Sequence, residues 1–168
     1  MNNNNNILDI LKGALILEIR GRDFYKKSKE EAITEEVKKI FKMMEDEEEK
    51  HIDIIKEQFK NYTEKGFFIL PDDISSKFNI ADYVISEKLK EQVKFTDYES
   101  LAIYLAISFE KEAFNFYSEK VNLVNNEVEK KLLIWLRDWE KSHVEFLSKI
   151  DEELKNQIWF DNKFWPLY

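Results

Sequence analysis

A gapless internal duplication, offset by 92 residues, constrains this chain more than any other feature. The shift carries Glu18 onto Glu110, Phe24 and Tyr25 onto Phe116 and Tyr117, Glu48 onto Glu140, and His51 onto His143. It also carries Ala14 onto Ala106, Glu35 onto Glu127, Lys38 and Lys39 onto Lys130 and Lys131, and Asp46 onto Asp138. Two copies of one unit in 168 residues predict two like halves folded as one domain.

Apolar spacing identifies the unit as a helical hairpin. The first helical pattern runs from about Ile7 to Ile33, with Leu11, Leu15, Glu18, Arg22 and Tyr25 on one stripe. Thr34 is the expected N-cap of a second helix, whose seam is Val37, Phe41, Met44, Glu48, His51 and Ile55. Gly66 ends it, and Pro71 lies beyond the break. Thr96 and Glu99 have capping-box spacing ahead of a third helix with Ile103, Ile107, Glu110, Phe114 and Tyr117. Asn126 and Glu129 repeat that spacing before a fourth, with Leu133, Leu136, Glu140, His143 and Leu147. Only 3 Gly and 2 Pro, against 36% charged residues, argue against an all-β fold with its frequent turns. The expected fold is all-α: a four-helix bundle made of two pseudo-symmetric hairpins. A long crossover from about Gly66 to Phe95 joins them, and its stretch from about Ile80 to Val93 is compatible with a short helix.

Residues 1–6 read as a disordered Asn-rich tail, 7–156 as the bundle, and 157–168 as an aromatic tail expected to pack on the bundle or on a partner subunit. The net charge of −8 argues against a general nucleic-acid surface. No apolar run approaches the roughly 20 residues of a membrane span. The absence of cysteine excludes disulfides, thiolate zinc, iron–sulfur clusters and a cysteine nucleophile within this chain, and fits a reducing cytoplasm.

The residues that the repeat preserves are the chemical clue. Glu18 and Glu110 stand on stripes that are otherwise largely apolar, and Glu48 and His51, like Glu140 and His143, are three apart on one helical face. One Glu-x-x-His in a Glu-rich chain carries little weight; two in register, each with a partner Glu at the same offset, carry much more. Four inward carboxylates would repel one another, and burying unpaired charge costs several kcal/mol per group. Two divalent cations neutralise them. One Glu from each of two helices plus Glu-x-x-His from the other two is a di-iron or di-manganese carboxylate ligand set. Hard oxygen donors with one imidazole per ion suit iron or manganese, with zinc a substitute in vitro. The expected metal ligands are therefore Glu18, Glu48, His51, Glu110, Glu140 and His143.

Through Glu18 with Phe24 and Tyr25, Glu48-x-x-His51, Glu110 with Phe116 and Tyr117, and Glu140-x-x-His143, the chain resembles the rubrerythrin branch of the ferritin-like superfamily over about Leu11 to Ile150. The resemblance implies two iron ions per chain that react with hydrogen peroxide or dioxygen. It makes Glu18 and Glu110 terminal ligands and Glu48 and Glu140 bridging, catalytic ones, with His51 and His143 binding one ion each. Tyr25 and Tyr117, two turns beyond their glutamates, are either donors to that site or core aromatics. Asp46 and Asp138, five residues before the histidines, are expected at the surface.

Two departures matter. Many rubrerythrins carry a further carboxylate where this chain has Ala113, matched by Gly21 in the first half. Redox-linked ligand switching at that position is therefore in doubt. The chain also lacks the cysteines of a rubredoxin domain. Electrons are then expected from a separate rubredoxin-like or similar donor protein. The leading expectation is a di-iron peroxidase or oxidoreductase, assembled as a homodimer in which exchanged hairpins are one arrangement. The alternatives are a ferroxidase or iron-storage protein and a non-enzymatic, metal-stabilised scaffold.

Overall fold

The computed structural model describes residues 4–70 and 96–161, with side chains from 7–70 and 96–156. It contains α1 (Asn4–Glu31), α2 (Glu35–Lys65), α3 (Asp97–Val121) and α4 (Glu127–Asp161), with no strand among the described residues. α1 pairs with α2 and α3 with α4, and the two hairpins meet through α1 and α3. The architecture is the ferritin-like four-helix bundle that the duplication predicts. No described helix is long and apolar enough to cross a membrane.

Helix ends follow their local chemistry. Gly66 adopts φ 81°, a left-handed conformation that costs a residue without a Cβ little, and its N–H closes α2 onto the Tyr62 carbonyl. At the start of α3, Thr96 Oγ1 accepts from the Glu99 N–H while the Glu99 carboxylate accepts from the Thr96 N–H, a complete capping box. Asn126 caps α4 by accepting from the N–H groups of Val128 and Glu129. Thr34 holds the N-cap position of α2, but its side chain does not cap the helix. Its hydroxyl donates instead to Glu99 at 3.0 Å, and the N–H groups of Ile33 and Thr34 donate to the same oxygen at 2.9 Å each. A buried carboxylate outcompetes the helix terminus for that hydroxyl, because its lone pairs have no solvent to satisfy them.

The core forms two apolar clusters. Tyr25, Phe41, Met44, Ile103, Leu147 and Ile150 belong to one, and Ile7, Leu11, Ile55, Tyr117, Leu133 and Leu136 to the other. Fully burying each large side chain contributes about 1.5–3 kcal/mol relative to exposure. Small residues allow α1 to approach α3: a Cβ on Gly13 would lie 3.0 Å from the Phe116 ring. α2 and α4 meet through longer side chains, among them the stacked rings of His51 and His143.

Some boundaries differ from those the sequence predicts. α1 begins at Asn4, inside the Asn run read as disordered, and stops at Glu31, two residues before Ile33. The buried anchors Ile7, Ile10 and Leu11 hold the first turns, and helical hydrogen bonding extends back from them. α4 runs to Asp161, past the expected start of the aromatic tail at 157. On α3 the buried position is Ala113, which lines a cleft shared with α1, while Phe114 is only partly buried. The short helix expected over about Ile80 to Val93, and residues 162–168 of the tail, lie outside the described residues.

Candidate metal centre

Along each helix, polar site residues interrupt the apolar stripe at one level, between the two clusters. Leu11 and Tyr25 flank Glu18 on α1, Met44 and Ile55 flank Glu48 and His51 on α2, Ile107 and Ala113 flank Glu110 on α3, and Leu136 and Phe146 flank Glu140 and His143 on α4. All six are buried, at 0–3% exposure, and the bundle brings all six together. Helical spacing alone does this, since residues three, four or seven apart face the same way.

The contacts obey the pseudo-twofold relation. His51 Nδ1 lies 3.0 Å from Glu18 Oε2, 3.0 Å from Glu140 Oε1 and 3.7 Å from Glu48 Oε2. His143 Nδ1 lies 3.1 Å from Glu110 Oε2, 3.6 Å from Glu140 Oε2 and 3.8 Å from Glu48 Oε1. The two imidazoles stack with centroids 5.5 Å apart and 23° between planes. Tyr117 donates its hydroxyl to Glu18 Oε1 and Tyr25 to Glu110 Oε1, so each tyrosine serves the carboxylate of the opposite hairpin. Both tyrosines are completely buried. The hydroxyls donate to buried carboxylates while the rings belong to the two apolar clusters, so both descriptions open from sequence apply.

These atoms form two overlapping donor sets. Glu18, Glu48, His51 and Glu140 offer one ligand atom each within 4.8 Å of one another, and so do Glu48, Glu110, Glu140 and His143. Glu48 and Glu140 belong to both. Both oxygens of Glu140 are buried and meet only histidine ring nitrogens, His51 Nδ1 at 3.0 Å from Oε1 and His143 Nδ1 at 3.6 Å from Oε2, outside hydrogen-bond geometry, an arrangement that a cation would complete. The residues fit a pair of divalent ions, by charge, by donor type and by the sharing of two carboxylates.

Electrostatics without metal show what the cations replace. Burial, followed by repulsion from Glu110, Glu18 and Glu140, pushes Glu48 well above the usual carboxylate range. Burial and the charge of Glu18 raise Glu140 to about 7. Burial opposes charge on the histidines as well, but Glu18 and Glu140 outweigh it at His51, and Glu110 lifts His143 to about 9. Glu110 falls to about 2 because His143 and its hydrogen bonds overcome the cost of burial, and Glu18 is lowered likewise by His51. Below about pH 7, two imidazolium charges and protons on Glu48 and Glu140 would balance the charges of Glu18 and Glu110. Two divalent cations would do the same and would displace those protons. The tyrosine hydroxyls stay protonated, since burial and then the adjacent carboxylates push both far above their ordinary value.

A narrow cleft between α1 and α3 reaches Glu18, Glu48, Glu110 and Glu140, lined by Leu17, Arg20, Gly21, Phe109 and Ala113. Gly21 and Ala113 leave the metal ligands uncrowded on this side; a Cβ at Gly21 would sit 3.4 Å from Glu48 Cδ. Asp46 is exposed and pairs with Lys42, while Asp138 pairs with Arg137. Neither contacts a histidine in these pairings, as their spacing predicts.

Sequence reasoning did not single out Glu47 or Trp139. The Trp139 indole N–H donates to Glu47 Oε2 at 3.1 Å, and its ring lies edge-on to His51, with centroids 5.4 Å apart. Nothing in the sequence marks them: Glu47 and Trp139 occupy equivalent positions of the repeat but differ, as most positions do.

Comparison with known proteins places this geometry. The family model described as Rubrerythrin matches residues 9–151. No curated protein gives a significant match. Among solved structures, a hypothetical protein from Pyrococcus furiosus shares 22% identity over 90% of this chain and 91% of its own, with a TM-score of 0.62. At that identity the likeness speaks for the fold.

Proposed function

The chain belongs to the rubrerythrin family, and from that premise we propose that it is a non-haem di-iron oxidoreductase that reduces hydrogen peroxide with electrons from an external donor. The observation that carries the reading is the overlap of two four-residue donor sets on Glu48 and Glu140. In this reading Glu18 and His51 complete one ion site, and Glu110 and His143 the other. Bound there, a pair of iron or manganese ions supplies the two electrons that reductive cleavage of an O–O bond requires.

The chain's own residues do the rest. Glu48 and Glu140 would be the catalytic carboxylates, since both belong to the two donor sets and they are the two of the four site glutamates held above the usual range without metal. Tyr117 and Tyr25 orient Glu18 and Glu110 by occupying one oxygen of each, which leaves the other toward His51 and His143. The flanking apolar clusters keep bulk water from the carboxylates, so charge interactions among them act at full strength. The α1–α3 cleft is the route for a molecule as small as peroxide. Because the 168 residues include no cysteine, electron delivery is assigned to a donor outside them. A homodimer is the assembly we propose.

Anaerobic reduced, iron-loaded protein mixed in a stopped-flow instrument with peroxide, and separately with oxygen, tests this. Faster oxidation of the centre by peroxide than by oxygen is expected. Equal or faster reaction with oxygen would defeat the peroxidase reading.

A further inference from the structure

We propose that Trp139 and Trp135 form a one-electron relay that carries oxidising equivalents from the metal centre to the protein surface when peroxide meets an incompletely reduced centre. The inference rests on the metal and peroxide reading above. Its warrant is a chain of ring contacts that begins on a ligand. His51 lies edge-on to Trp139 at 5.4 Å and to Trp135 at 6.0 Å, and the two indoles meet edge to face at 4.8 Å. His51 is fully buried, whereas both tryptophans are only partly buried. The path therefore leads outward from the centre through rings in contact.

The environment of Trp139 suits transient loss of an electron. Its N–H donates to the carboxylate of Glu47, which is 4% exposed and also accepts from Lys50 at 2.6 Å. A buried anion hydrogen-bonded to an indole stabilises positive charge on the ring. The internal repeat shows that the path is not duplicated. The equivalents of Trp135 and Trp139 in the first half are Met43 and Glu47, so the aromatic exit exists on one side of the pseudo-twofold only. Tyr25 and Tyr117 offer no such exit, because both are fully buried with their hydroxyls committed to ligand carboxylates.

The electron balance is as follows. Peroxide takes two electrons and two protons to become two waters. A centre with one reducing equivalent supplies one electron, Trp139 supplies the other, and both protons come from solvent. The hole rests on the Trp139 indole, its N–H proton retained in the hydrogen bond to Glu47, and passes to Trp135. A one-electron reductant in solution, such as ascorbate, then restores Trp135. Without this outlet the second oxidising equivalent would fall on His51 or the tyrosines.

The test uses the full chain, iron-loaded and metal-free, treated with excess hydrogen peroxide, freeze-quenched for electron paramagnetic resonance and digested for peptide mass mapping. An indole radical, with oxidation at Trp135 and Trp139 only when iron is bound, is expected. Trp139→Phe should lose that radical and move oxidation to the peptides of His51, Tyr25 and Tyr117. Trp135→Phe should keep the radical on Trp139 and slow its decay with ascorbate. An oxidised centre with both tryptophans unmodified and no indole radical would overturn the relay alone. So would equal tryptophan oxidation in metal-free protein, or unchanged patterns in both variants. A centre that peroxide does not oxidise at all would overturn the relay together with the proposed function. The wild-type map decides the matter even where a variant fails to fold.

Discussion

The Tyr117 hydroxyl on α3 donates to Oε1 of Glu18 on α1, a bond between the two hairpins at the level of the metal ligands. Tyr25 and Glu110 repeat it in the opposite sense. The duplicated halves therefore complete each other's sites. Neither hairpin alone restrains its buried glutamate in this way, and this ties the geometry of the cluster to assembly of the whole bundle.

Replacing Tyr117 with Phe should leave the ring packing intact and one buried carboxylate oxygen without its donor. The expected cost is about 1–3 kcal/mol of stability in the metal-free protein. Metal affinity should fall by roughly 10- to 100-fold, the usual effect of losing a partner to a ligand. Tyr25→Phe should behave the same way. Denaturant titration and metal competition with a chelator measure the two effects; an unchanged affinity in both variants would reduce the tyrosines to packing residues.

The pH dependence of the metal-free protein follows from the site. Burial disfavours charge on His143 but Glu110 more than compensates, so the folded pKa is raised from 6.5 to about 9. The stability that this contributes is complete below about pH 6.5 and is lost as pH rises through about 9. Glu140 is raised from 4.5 to about 7, chiefly by burial, so the fold favours its protonated form and weakens as pH climbs through that interval. Both groups act in the same direction: metal-free protein should lose stability from about pH 5 to 9. Bound cations replace those protons, so the gain in Tm on metal loading should widen from pH 6 to pH 9. A gain independent of pH would contradict the proton–metal exchange.

Glu99 joins the two hairpins at one end of the bundle. One oxygen takes the N–H groups of Ile33 and Thr34 and the Thr34 hydroxyl, and the other takes the N–H and hydroxyl of Thr96. Burial opposes its charge, but these bonds, led by Thr34, hold its pKa below the usual carboxylate value. Glu99→Ala should therefore cost at least about 2 kcal/mol, since hydrogen bonds to a charged group contribute about 1.5–3 kcal/mol each and do not add fully. The loss should shrink as pH falls from the ordinary glutamate value through the lowered value of the folded protein, where protonation removes the same contribution. Thermal unfolding of wild type and variant at neutral and acid pH provides the check.

Glu18, Glu48, His51 and their mates were legible in the sequence because they violate a pattern. Charged side chains on apolar stripes have few stable explanations, and recurrence at one offset removes most of these. The Thr96–Glu99 cap was legible because its signal is local. Thr34 shows the limit: its position follows from spacing, but its partner is 65 residues away and depends on how the hairpins meet. Ala113 and Phe114 illustrate another. Both are apolar and adjacent, so residue type alone does not say which faces inward. The contact of Trp139 with Glu47 and His51 crosses from α4 to α2, where no helical periodicity reports it.

The most direct measurement is metal content per chain after anaerobic loading with ferrous iron and desalting, for wild type and for Glu48→Ala. Two irons per wild-type chain, reduced to one or none in the variant, is the result expected if Glu48 belongs to both donor sets. Wild-type protein that retains no transition metal, or a variant that retains as much as wild type, would contradict the dinuclear centre.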